Sequence, residues 1–157
     1  MALHTDIPRI AMQVSRGIVV ASIQVDLNDD ILAQLQEDLL SRVQETGSRG
    51  VILDVSGLET LDSEEFAALR RIIAMATLLG AESVLAGLRP GIVSALIETG
   101  AEVDGLRAAI NLDAAFALLQ PEPEPAPENG SEPETAADAG LESAPPQEFE
   151  RAPEADR

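Results

Sequence analysis

The sequence predicts an α/β fold with a mixed, mostly parallel sheet in the element order ββαβαβαβα, on three observations. Short β-branched runs alternate with longer segments whose apolar residues recur at helical spacing, the sequence form of successive strand and helix units. Gly47, Gly80 and Gly100 follow the helical segments, where a chain leaves a helix. The first two strand-like stretches are separated only by Arg16-Gly17, which predicts a hairpin and hence one antiparallel pair.

Taken in order, residues 9–15 and 18–23 are short apolar or alternating strands. Ile31, Leu32, Leu35, Leu39, Leu40 and Val43 then mark one face of a helix, with Asn28 or Asp29 as its cap and Gly47 as its stop. Residues 51–55 form a strand that includes Asp54. Phe66, Leu69, Ile72, Ile73, Met75, Ala76 and Leu79 mark a second amphipathic helix closed by Gly80. Residues 83–86 are a buried-type strand, after which Pro90 can open a short helix over 91–98. A weaker strand near 106–110 leads to a last helix capped by Asn111. Right-handed crossovers between parallel strands restrict how these units wind.

The folded unit spans residues 7–120, in which Pro8 and Pro90 are the only prolines. Residues 1–6 are expected to be a flexible N-terminus. Residues 121–157 alternate Pro with Glu, offer no apolar face of either period and are expected to be disordered.

Composition removes several function classes. The aromatic fraction is 2%, with no Trp or Tyr, so the core must be aliphatic, joined by Phe66 and Phe116. There is no Cys, which excludes disulfides and thiolate chemistry. The formal charge of −18 disfavours nucleic acid and anionic membrane surfaces as partners. Half of that charge lies in residues 121–157, where eleven acidic residues face two arginines. No apolar run is long enough to span a bilayer and the N-terminus lacks a signal-peptide pattern, so a cytoplasmic location is expected. The single histidine, His4, lies before the folded unit, where it offers neither a nucleophile's base nor a core metal ligand. Neither GxxxxGK[ST] nor GxGxxG occurs. Asp29, Asp30 and Asp54 suggest an aspartyl-phosphate receiver, but that chemistry needs a lysine and the chain has none. The expectation is a binding module rather than an enzyme, with no cofactor and no metal.

The informative stretch is VILDVSGLETLDSEEFAALRRI, residues 51–72. With Asp62 as N-cap, Glu65 falls at the third helical position and completes a capping box, while Leu61 and Phe66 can pair as a hydrophobic staple. Ser63 is then the first helical residue, its hydroxyl not needed for capping. A phosphoryl group there would meet the positive end of the helix but also face Asp62, Glu64 and Glu65. Ser56, Thr60 and Thr77 are further hydroxyls, with Ser56 in a turn and Thr77 inside the second helix.

The segments VASIQVDLNDD, LQEDLLSRVQETG, GVILDVSGLETLDS, AMATLLGA and SALIETG resemble, in order and spacing, the STAS-domain anti-sigma-factor antagonists, in particular bacterial stressosome scaffold proteins of RsbS type. The resemblance covers roughly residues 7–119. It implies a five-stranded STAS domain phosphorylated on the serine of an Asp-Ser pair, here Asp62-Ser63, by a serine/threonine kinase of anti-sigma type. It further implies that the unphosphorylated scaffold, assembled as an oligomer with larger STAS paralogues carrying N-terminal sensor domains, sequesters that kinase in stress signalling. With no domain before Ile7, the chain resembles the minimal scaffold subunit. Ser56, Thr60, Leu61, Glu64, Phe66 and Leu69 are the expected partner face, from their position beside Ser63. Two features depart from the pattern: Glu64-Glu65 stand where simpler antagonists carry Ser-Gly, and the acidic tail after Gln120 lies outside the minimal domain. An alternative reading is the small STAS subunit of a membrane lipid-transport complex, docked on an ABC-type ATPase.

Overall fold

The computed structural model describes residues 6–120; the remainder of the expected flexible N-terminus, with His4, and the acidic tail lie outside the described residues. The elements are β1 (Ala11–Ser15), β2 (Ile18–Ser22), α1 (Asp29–Thr46), β3 (Gly50–Asp54), α2 (Ser63–Leu78), β4 (Glu82–Ala86), α3 (Pro90–Glu98), β5 (Ala108–Ala109) and α4 (Leu112–Leu119). This is the predicted order ββαβαβαβα. The strands form one sheet in the order β1-β2-β3-β4-β5, antiparallel between β1 and β2 and parallel elsewhere.

The hairpin turns on Arg16 and Gly17, with φ of 55° and 76°. Two left-handed residues are what a two-residue hairpin loop requires for its twist to match the strands. Arginine is an unfavourable choice there, but its guanidinium lies 5.9 Å from the centre of the Phe116 ring, a cation–π contact that ties the turn to α4.

Strands β2, β3 and β4 are apolar on both faces because both faces are covered. Val19, Ala21, Ile23, Val51, Leu53, Val55 and Leu85 meet the buried sides of α1, α2 and α3 in one core. Ile18, Val20, Ile52, Val84 and Ala86 point the other way and pack with Ala115 and Leu119 of α4. Three consecutive right-handed crossovers that advance across the sheet in one direction put their helices on one face, which leaves the opposite face for α4. A slip of one residue in any central strand would exchange these two sets, so the register is strongly specified.

Helix α1 starts where Asn28 accepts the Ile31 N–H at 2.9 Å and stops at Gly47 in the left-handed region. Its predicted stripe is buried at Ile31, Leu32, Leu35, Leu39 and Val43, with Leu40 partly buried. The last strand is shorter than expected, two residues instead of 106–110. Only Leu85 and Ala86 of β4 have partners in it, and Ile110 is 83% exposed, so no core lies beyond to extend the pairing.

The side chains of Leu61, Phe66 and Leu69 correct the expected partner face. They are 4%, 1% and 0% exposed and belong to the core under α1 to α3, because the helical stripe that starts α2 points at the sheet. Ser56, Thr60 and Glu64 are the exposed residues of that set.

Gly87, just after β4, has φ +85°, and a Cβ there would lie 2.8 Å from the Ser56 Cβ and 3.0 Å from the Ser56 nitrogen. Gly87→Ala is expected to cost about 1–3 kcal/mol in urea unfolding, from strain and a clash with backbone that cannot move freely. Phe66→Ala should cost about 3–5 kcal/mol in the same measurement, the usual penalty for emptying a fully buried aromatic site. A loss under about 1 kcal/mol for Phe66→Ala would mean that the side chain does not fill the core.

Candidate functional site

Because β2, β3 and β4 run parallel, the connections that follow them emerge at one edge of the sheet. The connection from β3 to α2 lies between the other two and is pinned by its neighbours. Ile23 N–H donates to the Asp54 carbonyl and Val55 N–H to the Ala86 carbonyl, both at 2.9 Å. The Asp54 carboxylate accepts the Ser56 N–H at 3.0 Å, a local turn that makes this side chain structural. Leu58 N–H returns to the Val55 carbonyl at 3.0 Å, and Leu58 and Leu61 are buried as anchors. Gly57 passes so close to β2 that a Cβ would sit 2.9 Å from the Ile23 carbonyl oxygen. From across the edge, Arg89 Nη2 donates to the Ser56 carbonyl at 3.1 Å.

Asp62 ends this connection as the N-cap of α2. Its Oδ1 accepts the N–H groups of Glu64 at 2.9 Å and Glu65 at 2.8 Å, while Glu65 Oε2 accepts the Asp62 N–H at 2.9 Å. Both halves of the capping box are formed. The staple residues Leu61 and Phe66 are buried in one cluster. The helix start is thus satisfied without Ser63, which occupies the first helical position, is partly exposed and, among the described residues, has no hydrogen-bond partner for its hydroxyl.

Ser63 stands between two clefts. One, of about 530 Å³, separates the starts of α2 and α3 and is lined by Glu59, Thr60, Arg89, Ile92 and Thr99 as well as Ser63. The other, of about 320 Å³, runs along α2 past Ala67, Arg70 and Arg71 to Glu102. Glu64 faces a third, with Asn28, Asp29 and Asp62. The surroundings are mainly acidic, relieved by Arg70, Arg71 and Arg89. Arg70 is held by the Glu102 carboxylate at 3.2 Å and by the Glu102 and Asp104 carbonyls. Among the described residues no group of three or more His, Cys, Asp or Glu could hold a metal ion, and no helix is long and apolar enough to cross a membrane.

Sequence pattern placed Asp62 and Ser63 but not Arg89, Arg70 or Gly87. Arg89 precedes Pro90 at a helix start, a position that carries no signal for a contact 33 residues back at Ser56. The positive φ of Gly87 and its approach to Ser56 likewise belong to the packing of two loops.

Comparison with known proteins places this geometry in a family. RsbS from Moorella thermoacetica, as a serine-to-glutamate variant, superposes with a TM-score of 0.62 at 28% identity, covering 71% of this chain and 95% of that one. A chain from the stressosome, described as a signal integration and transduction hub, gives 0.61 at 30% identity, with 69% and 95% covered. An anti-sigma-factor antagonist (STAS) domain protein from Planctomyces limnophilus gives 0.56 over 72% of this chain and 100% of its own; at 20% identity it shows the fold alone. No curated protein matches the chain. The STAS domain model matches residues 9–104, from the hairpin through the Asp62 cap to the end of the second cleft, and the chain belongs to the STAS-domain family.

Proposed function

We propose that the chain is a phosphorylation-switched STAS scaffold that retains a serine/threonine kinase of anti-sigma type and is modified by it on Ser63. It would work in the cytoplasm, in an oligomer with larger STAS paralogues that bear sensor domains. The observation that carries this reading is a serine at the first position of α2 whose hydroxyl is spare, because Asp62 and Glu65 already satisfy the helix start. The likeness to an RsbS variant with glutamate in place of serine supports it, since a carboxylate is a common stand-in for phosphoserine.

The consequences of modification follow from charge. A phosphate adds about −1.5 to −2 charges to a surface already carrying Glu59, Asp62 and Glu64. The dipole at the start of α2 favours an anion there even though the capping box already engages most of its N–H groups, so the domain stays folded. A partner packed over Ser63 must instead accommodate the added volume and desolvate the new charge, and it is the complex that weakens.

Incubation of the full chain with a serine/threonine kinase of anti-sigma type and ATP, followed by mass-spectrometric mapping, is expected to find phosphate on Ser63 and none there in Ser63→Ala. Ser63→Asp should retain less kinase while its thermal midpoint stays near that of the parent. Capture of an ABC-type ATPase as the main partner, with Ser63 unmodified, would replace this reading by the transport-complex one. The two residues of the pair are expected to separate in stability. Asp62→Ala should lose about 1 kcal/mol in urea unfolding through loss of the cap, whereas Ser63→Ala should stay within about 0.5 kcal/mol.

A further inference from the structure

Each cleft beside Ser63 contains arginine, so the chain itself offers a partner for a phosphate on that serine. The candidates differ in how firmly they are already engaged. Arg70 has the Glu102 carboxylate and two carbonyls, and its side chain is 26% exposed. Arg71 borders the second cleft and, on its other side, the pocket of Asp62, Glu64 and Glu65. Among the described residues Arg89 is the one arginine lining the first cleft; it is exposed, and its side chain makes a single hydrogen bond, to the Ser56 carbonyl at 3.1 Å. It occupies the N-cap position of α3, yet its side chain makes no capping bond.

A phosphate offers a guanidinium two parallel charge-assisted bonds, each roughly twice as strong as a bond between neutral partners. An exposed carbonyl offers Arg89 one. We propose that phosphate on Ser63 draws the Arg89 guanidinium away from the Ser56 carbonyl and pairs with it across the cleft, so that modification unfastens the Ser56 to Leu61 connection. This rests on Ser63 being the phosphoacceptor. It adds that the modification is read by the domain's own loop as well as by a partner. The groups around the phosphate are Glu59 from the loop, Asp62, Glu64 and Glu65 from the start of α2, Arg89 from α3, and Arg70, Arg71 and Glu102 along the second cleft. Among the described residues lining the first cleft Arg89 is the only cation set against those acids, and without it the phosphate would keep its last proton to higher pH.

The test uses the full chain with phosphoserine installed at position 63 during translation, titrated by phosphorus NMR. The last phosphate proton is expected to leave at lower pH in the parent than in Arg89→Gln, with Arg89→Lys between them and Arg70→Gln matching the parent. Amide exchange at Ser56 and Leu58 should quicken on phosphorylation by roughly three- to tenfold, as the loss of one net hydrogen bond allows. In Arg89→Gln it should be quick with or without phosphate. Identical titrations in the parent and Arg89→Gln, or a shift in Arg70→Gln as large as that in Arg89→Gln, would overturn the proposal, as would exchange that phosphate leaves unchanged. No kinase enters the measurement, so its failure leaves the kinase reading standing. A kinase that ignores Ser63 sinks that reading and leaves this measurement intact.

Discussion

The carboxyl end of β3 is held from both sides by main-chain hydrogen bonds, Ile23 to Asp54 and Val55 to Ala86, each 2.9 Å long. The geometry around Ser63 depends on them. They fix where the chain leaves the sheet, and the buried Leu58 and Leu61 then bring it back to the core before α2 starts. With both ends anchored, Asp62 has little choice of position, and its carboxylate meets the N–H groups of Glu64 and Glu65 at normal distances. A loop of the same composition between less constrained strands could present Ser63 in many orientations. Here it presents one.

The division of labour between adjacent residues follows from hydrogen-bond supply at a helix start. Four N–H groups there lack helical partners. Asp62 takes two of them, and the Glu65 carboxylate secures the N–H of Asp62 itself. A serine in the capping position would be tied to the backbone. One residue later it is free. The same economy places acidic side chains around Ser63, since carboxylates favour the positive end of a helix, so the site is built from groups that stabilise α2 and yet make a further negative charge costly to a partner.

The opposite face of the sheet has its own fastening. Arg49 and Arg107 donate to the carbonyls of Leu119 and Leu118 at the end of α4, which has no basic residue in its last turn. Cations from elsewhere in the fold thus complement the negative end of that helix. Together with Arg16 over Phe116, they hold α4 against β3 and β4. The α4 layer therefore packs on the side of the sheet away from α2, and Ser63 belongs to the edge where α1, α2 and α3 begin.

The element order, the caps Asn28, Asp62 and Asn111 and the candidate Ser63 were legible in the sequence because each is written in a local signal: a period of apolar residues, a turn glycine, or a capping residue three positions before its partner. The exposure of the residues around Ser63 was legible only in part. Adjacency to Ser63 drew in Leu61, Phe66 and Leu69, yet helical phase turns them to the core, and the burial of a helix stripe is set by what the sheet puts beneath it. The short β5 followed from the same limit, since Ile110 is left on the surface with no core beneath it to extend the pairing. Arg89 meeting Ser56, and Gly87 leaving room for it, depend on two connections brought to one edge by parallel pairing. The sequence by itself determined which residues start and stop each element and which serine stands free. Tertiary structure alone decided which side chains remain on the surface around that serine and which arginines line the clefts beside it, because contacts between distant residues arise only when the sheet sets its loops side by side.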